Sequence, residues 1–317
     1  MSFAEELKAQ LEIPVIASPM FIISNPRLVA EQCKNGIVGS FPALNARPAE
    51  VLEQWLEQLT TELAEYKAAN PDKKVAPFAV NQIVHHSNDR LEHDLEVCAR
   101  FEVPIMITSL RAPHDAVKVA HSYGGKVFHD VISVRHAEKA IEAGVDGLIL
   151  VCAGAGGHAG TLSPFALVSE IRKFYDGPIA LSGSITQGKQ ILAAEAMGAD
   201  FAYMGTRFIA THEANADEAY KEMIVDSSAT DVIYSSLFTG VHGNYLRGSI
   251  ARAGLDPDNL PEADKSAMSF GSDKSKAWRD IWGAGQGVGG IGEVTSTAEV
   301  IAGLRRDYLE ARQRLLG

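Results

Sequence analysis

The sequence predicts an α/β protein: a (β/α)8 TIM barrel with a small, mainly helical segment inserted after the eighth strand. Three observations point there. Short β-rich runs alternate with helix-like stretches eight times, the pattern that builds a parallel sheet from βα units. An open doubly wound sheet more commonly has about five or six strands, so the count favours closure. The 317 residues exceed a typical single domain but suit a barrel of about 250 residues carrying an insertion.

Strands are expected at residues 15–19, 37–41, 76–80, 105–108, 126–128, 147–151, 179–182 and 201–204. These runs are dominated by Val, Ile, Leu, Phe and Ala, as in strands covered on both faces. Within 48–67, Val51, Leu52, Trp55, Leu56, Leu59 and Leu63 recur at helical spacing and leave glutamates on the outer side, which predicts an amphipathic helix. Asn88 is placed to cap a helix over 89–101, and Ser163 with Pro164 to open the next. Gly144 and Gly198 each follow a helical run and precede a strand, so both read as helix stops. After the eighth strand come a helix-like AYKEMIVDS and a loop-like GLDPDNLPEADKSAMSFGSDKS. The chain then returns through WGAGQGVGGI to an amphipathic helix, Thr297–Leu316, that closes the outer ring. The expected division is a barrel of residues 1–214 and 277–317 with an inserted lid or interaction segment, 215–276.

Composition is that of an ordinary globular protein, 46% apolar and 22% charged. Lys and Arg number 29 against 40 Asp and Glu, a formal charge of −11, which opposes nonspecific attraction to nucleic acid or anionic lipid. An anionic ligand would need a local site, such as backbone N–H groups at glycine turns and helix N-termini. Cys33, Cys98 and Cys152 are odd in number, far apart and in no metal-ligand spacing. That argues against a disulfide framework or a zinc site and fits a reducing cytoplasm. The start, MSFAEELKAQLEIP, is acidic where a signal peptide would be basic, and no apolar run reaches the roughly 20 residues that span a bilayer.

Chemistry in such a barrel sits where strands end, and phosphate often binds after the seventh and eighth. Gly183 and Ser184 follow the seventh, before a helix whose N-terminus would aim N–H groups at an anion. Gly205 and Thr206 follow the eighth, where the threonine can donate through hydroxyl and backbone. Either turn alone is ordinary βα chemistry; two in adjacent loops read as a phosphate clamp. At the sixth strand, Gly156 and Gly157 would let a planar ring lie against backbone with His158 above it. Neutral imidazole suits abstraction of a moderately acidic C–H proton, although a histidine beside glycines can also serve only to bond a loop carbonyl. His129 and Asp130 end the fifth strand and are expected to face the same mouth, where they could bind a ring edge or form an internal structural pair. Asn81 could offer a donor and an acceptor to a heterocycle or form an Asx turn. Met20 could touch a ring or fill core. Arg207 could neutralise phosphate or pair with a helix carboxylate. Gln286 could reach phosphate or substrate or belong only to a glycine-rich connector, and His85, His86 and His93 read as surface.

With those residues assembled, the chain resembles the flavin-dependent nitronate monooxygenases, formerly called 2-nitropropane dioxygenases, over nearly its whole length. The likeness rests on the order of PVIASPM, PFAVN, GVDGLILVCAGAGGHAG, LSGSI, GADFAYMGTRF and WGAGQGVGGI. It implies FMN at the barrel mouth, its phosphate held by Gly183 and Ser184 and by Tyr203, Met204, Gly205 and Thr206. Pro19, Met20, Asn81, Asp130, Gly157 and Gln286 are the remaining cofactor contacts it implies, and His158 the catalytic base. The implied reaction is oxidation of an alkyl nitronate, or of a nitroalkane deprotonated by His158, with dioxygen to a carbonyl compound and nitrite, without a metal. Two departures stand out. Asp130 occupies a position where several relatives carry lysine or another flavin contact, and residues 153–155, Ala-Gly-Ala, lack the acidic residue many relatives place before the histidine. The scaffold is also that of FMN-dependent NAD(P)H reductases acting on enoyl thioesters or quinones. A noncatalytic flavin-binding module working through a partner is a further reading, and a homodimer is compatible with either.

Overall fold

The computed structural model of the chain describes residues 2–261 and 281–316. The apolar runs form β1 (Val15–Ala17), β2 (Gly39–Pro42), β3 (Phe78–Val84), β4 (Ile105–Leu110), β5 (Lys126–Val131) and β6 (Gly147–Val151). A two-residue β7 (Gly157–His158) stands apart, and β8 (Ile179–Ser182) and β9 (Phe201–Met204) complete the set. Eight of them pair in parallel in the order β1-β9-β8-β6-β5-β4-β3-β2. The two ends meet, because Ala17 N donates to Val38 O at 2.8 Å and Val38 N to Val15 O at 3.1 Å, which makes the sheet a barrel.

Strand alternation sorts the side chains. Ile16, Ala79, Ile107, Phe128, Ile149, Ala180 and Phe201 fill the interior. Leu7, on α1 (Phe3–Ala9), and the following Leu11 pack into the same cluster, so the chain's first helix plugs the end where the strands begin. On the outer face Val80, Met106, Leu148, Leu150 and Leu181 pack against the helical ring. That ring comprises α2 (Pro26–Lys34), α3 (Val51–Ala69), α4 (Leu91–Arg100), α5 (His114–Ser122), α6 (Val134–Glu142), α7 (Pro164–Ile171) and α8 (Gly188–Ala196). As expected, α3 buries Leu52, Leu56, Leu59 and Leu63. Gly144 and Gly198 end helices with φ of +85° and +103°, a left-handed conformation that favours glycine. Asn88 does not cap α4 itself; its Oδ1 accepts from Arg90 N at 3.2 Å, an Asx turn that delays the helix to Leu91.

β3 and β5 run four and three residues further than their apolar runs. Their extra residues begin with the polar pairs Asn81-Gln82 and His129-Asp130, which interrupt an apolar pattern even where a barrel covers both faces.

Past β9 come α9 (Thr206–Ile209) and α10 (Glu218–Asp226), then β10 (Val232–Ser235), β11 (Gly243–Leu246) and α11 (Arg247–Arg252). The inserted segment thus holds helices, as the sequence indicated, together with an antiparallel hairpin that its apolar pattern did not reveal. β11 pairs with β7 as well as β10. The expected boundary at 276/277 lies outside the described residues. The final helix, α12 (Thr297–Leu316), docks on α8, where Lys189 N donates to Asp307 Oδ2 at 3.0 Å and Tyr308 Oη to Glu195 Oε2 at 2.6 Å. No helix among the described residues is long and apolar enough to cross a membrane.

Candidate active site

The loop leaving β6 reaches β7 through Gly154, with φ +82°, and Gly157, with φ +66°. A Cβ on Gly156 would come within 2.8 Å of Gly285 N, whereas one on Gly157 would meet nothing within 4 Å. One glycine is therefore required by close backbone packing, and the other leaves an open face. The hairpin of the insertion grips this loop. Gly157 and His158 pair with Asn244 and Gly243. Asn244 Nδ2 donates to Ala155 O at 2.6 Å, and Tyr234 Oη to Ala159 O at 2.9 Å. His158 Nε2 lies 2.8 Å from Thr239 Oγ1. Burial pushes the imidazole down to about 4, because the charged form loses solvation. At neutral pH the ring is therefore uncharged and able to accept a proton.

Beside it, the loops after β6, β8 and β9 meet the returning chain. Gly154, Gly156, Gly183, Ser184, Tyr203, Gly205, Thr206 and Gly285 line one small pocket. Gly285 N donates to Thr206 Oγ1 and Gln286 N to Gly154 O, each at 2.9 Å. Ser184 is held at φ +57°, a conformation that costs an L-residue energy and persists where its surroundings fix it. Met20 Sδ would stand 3.5 Å from a Cβ on Gly205, which places the residues after β1, Pro19 and Met20, next to the pocket. Gln286 borders the adjoining groove with Ser184 and Thr186. Met204 does not join them by its side chain, which packs in the shell between sheet and helices.

Inside the barrel, below its mouth, lies a polar chain. Asn81 Nδ2 donates to Ser109 Oγ at 2.9 Å and to Ile107 O at 3.2 Å, and the residue lies within β3 rather than in a turn. Ser109 Oγ donates to Asp130 Oδ2 at 2.6 Å. Asp130 Oδ1 is buried and has no hydrogen-bond partner among the described residues. Burial pushes its carboxyl up to about 6. The same burial, with the charge of Asp130, holds Tyr203 well above its ordinary value.

His129 does not share the mouth with Asp130. Adjacent strand residues point to opposite faces, and His129 is buried with Nδ1 2.8 Å from Thr108 Oγ1. Arg207 makes no ion pair with a helix carboxylate among the described residues, and its Nη1 is buried without a partner there. His85 and His86 place their rings 4.0 Å apart, and His93 bonds Asp94. Thr239, Asn244 and Ser109 are site residues that the sequence reading missed. The first two lie in the insertion, where the β-branched run DVIYSS and the later NYL were the only signs of a hairpin.

A family model described as nitronate monooxygenase matches residues 4–304. The chain belongs to that family. This member is 24% identical to a nitronate monooxygenase of Paraburkholderia phytofirmans, over 96% of this chain and 94% of the relative. It is also 24% identical to a hydroxy-methyl-oxo-octahydroindene-carboxyl-CoA dehydrogenase of Rhodococcus jostii, over 84% and 73%. Among solved structures, a nitroalkane oxidase from Streptomyces ansochromogenes superposes with a TM-score of 0.81 at 22% identity, over 97% of this chain and 99% of that one. FabK from Thermotoga maritima superposes at 0.77 and 25% identity, over 99% and 97%. These flavoenzyme neighbours are TIM barrels, and the family implies a flavin-dependent oxidoreductase. The residues present fit a flavin. The glycine-lined pocket can take a phosphate, Gly157 leaves a face open to a flat ring, and the unpartnered Asp130 Oδ1 calls for a polar ligand atom.

Proposed function

We propose that this nitronate monooxygenase-family protein binds FMN and oxidises alkyl nitronates, and nitroalkanes after deprotonation, with dioxygen. Overall, two molecules of nitroalkane and one of dioxygen would give two of carbonyl compound and two of nitrous acid. The observation that carries the reading is the placement of His158, held by the hairpin beside a glycine-lined pocket. Gly183, Ser184, Gly205 and Thr206 would hold the phosphate, with Gly157 and Met20 flanking the ring and Asn81 and Asp130 beneath it. Bound FMN would supply the electron acceptor and the route to dioxygen.

His158 takes the proton from the carbon bearing the nitro group. The burial that keeps the ring neutral also keeps its lone pair available. A substrate that arrives as the nitronate has already lost that proton and needs the site only for orientation. The test is nitrite release and oxygen uptake with propionate 3-nitronate and with a neutral nitroalkane, using FMN-loaded protein. Nitrite from both supports the proposal, and nitrite from neither contradicts it.

The likeness to a CoA-thioester dehydrogenase and to FabK favours a second reading, an FMN-dependent NAD(P)H reductase. Anaerobic mixing separates the two: bleaching of the flavin by NADH or NADPH and not by nitronate would support the reductase.

A further inference from the structure

Two residues beyond the interior Ala79, Ile107, Phe128, Ala180 and Phe201, on the same faces of their strands, stand Asn81, Ser109, Asp130, Ser182 and Tyr203. This polar tier is the floor of the barrel mouth, since Ser182 and Tyr203 line the glycine-lined pocket. Asp130 is its acidic member, and the hydrogen bonds leading to it have one direction. Ile107 O can only accept, so Asn81 turns its amide nitrogen there, and the second N–H of the same group goes to Ser109 Oγ. Ser109 accepts from Asn81, which leaves its single proton for Asp130 Oδ2, 2.6 Å away. Oδ2 is therefore the accepting oxygen. A proton on this carboxyl belongs on Oδ1, which is buried without a partner among the described residues.

No cation among the described residues offsets that burial, and Ser109 is the group that favours the charged form. Tyr203, facing from β9, is a neutral phenol that bonds Ser18. Ile149, opposite on β6, is apolar. His129 points the other way, to Thr108, and His158 in the loop above is uncharged at neutral pH. A flavin ring offers carbonyl oxygens and imine nitrogens as acceptors. We infer that Asp130 meets the bound flavin as a carboxylic acid, Oδ1–H donating to one of those acceptor atoms, so that FMN binding near neutral pH takes up a proton from solvent. The inference rests on the reading of this site as an FMN site. In the apoprotein, burial already pushes the carboxyl up to about 6; a ring laid over it removes more water and supplies an acceptor for the acid form, and both effects push it further.

The test is FMN affinity, by fluorescence titration of wild-type and Asp130→Asn apoprotein from pH 5 to 8. Asparagine keeps the shape and can place an N–H where Oδ1–H would be, with no proton to gain. The ratio of the wild-type Kd to that of the variant cancels titration of the FMN phosphate and of groups the two proteins share. It should be near one at pH 5 and rise above about pH 6, approaching about tenfold per pH unit. A constant ratio overturns the inference. So does a ratio that falls with pH, the mark of a carboxylate accepting from the ring N3–H. A second measurement needs the wild type alone: in protein labelled with 13C-aspartate, an isotope-shifted infrared band of a protonated carboxyl should appear when FMN binds at pH 7, and its absence overturns the inference. Failure to bind FMN at every pH would overturn the cofactor reading and this inference together, whereas tight binding with a constant ratio overturns this inference alone.

Discussion

Ser109 Oγ donates to Asp130 Oδ2 at 2.6 Å while accepting from Asn81 Nδ2 at 2.9 Å. This chain of three residues from β3, β4 and β5 occupies one carboxylate oxygen of Asp130 and leaves the other buried without a partner among the described residues. A carboxyl so placed is easier to keep protonated than charged.

The first prediction follows from that proton. Burial pushes Asp130 up to about 6 from an ordinary 3.8, so the folded protein holds a proton that the unfolded chain has released. The stabilisation is fully present below about pH 4 and is lost as pH rises through 6. Asp130→Asn does not titrate. Relative to wild type it should gain stability between pH 4 and 7, by about 2–3 kcal/mol at most, at roughly 1.4 kcal/mol per pH unit. Urea unfolding at pH 4, 5 and 7 measures the difference, and parallel pH dependence in the two proteins would refute it.

His158 titrates the other way. Burial pushes it down to about 4, so the base form persists until the solution is strongly acidic. For a neutral nitroalkane, kcat/KM should be level from pH 8 down to about 5 and fall roughly tenfold per unit below about 4. A fall centred at the ordinary 6.5 would mean that the ring is solvated in the working enzyme.

Gly154 lines the pocket proposed to hold the phosphate. A Cβ there would collide with Ser184 Oγ, and φ is +82°. Gly154→Ala should therefore weaken FMN binding by about 1–3 kcal/mol, the usual cost of overpacking, with a smaller effect on the unfolding midpoint of the apoprotein. Fluorescence titration with FMN measures the affinity, and an unchanged Kd would contradict the assignment of this pocket.

Asn244 links the hairpin to the β6 loop. Its replacement by Ala removes the donor to the Ala155 carbonyl, and an acceptor left unpaired in a buried place costs about 1–3 kcal/mol. Thermal unfolding should shift down, and turnover of neutral nitroalkane should fall further than turnover of nitronate, because the loop that loses its support carries His158. Equal loss for both substrates would show that the hairpin stabilises without placing the base.

The barrel was legible because both faces of its strands are buried, so β6, β8 and β9 appear in the sequence as unbroken apolar runs with sharp ends. The glycine turns after them were legible for the same reason: they interrupt those runs. Asp130 and His129 show where that signal stops. Once polar residues enter a strand, an apolar pattern no longer marks its length or its facing, and period-two alternation is needed to send His129 outward and Asp130 inward. Thr239 and Asn244 were out of reach for a different reason. Thr239 meets His158 and Asn244 meets Ala155, 81 and 89 positions earlier in the chain, and a contact so distant leaves no local pattern.

The account depends most on His158 removing a proton from a neutral substrate. The most direct measurement is nitrite release by FMN-loaded wild type and His158→Ala, each with a neutral nitroalkane and with the same compound supplied as its nitronate. The account predicts a loss of about 10²- to 10⁴-fold on the nitroalkane, the range for removing a general base, and a much smaller loss on the nitronate. Equal turnover of the nitroalkane by both proteins would contradict it.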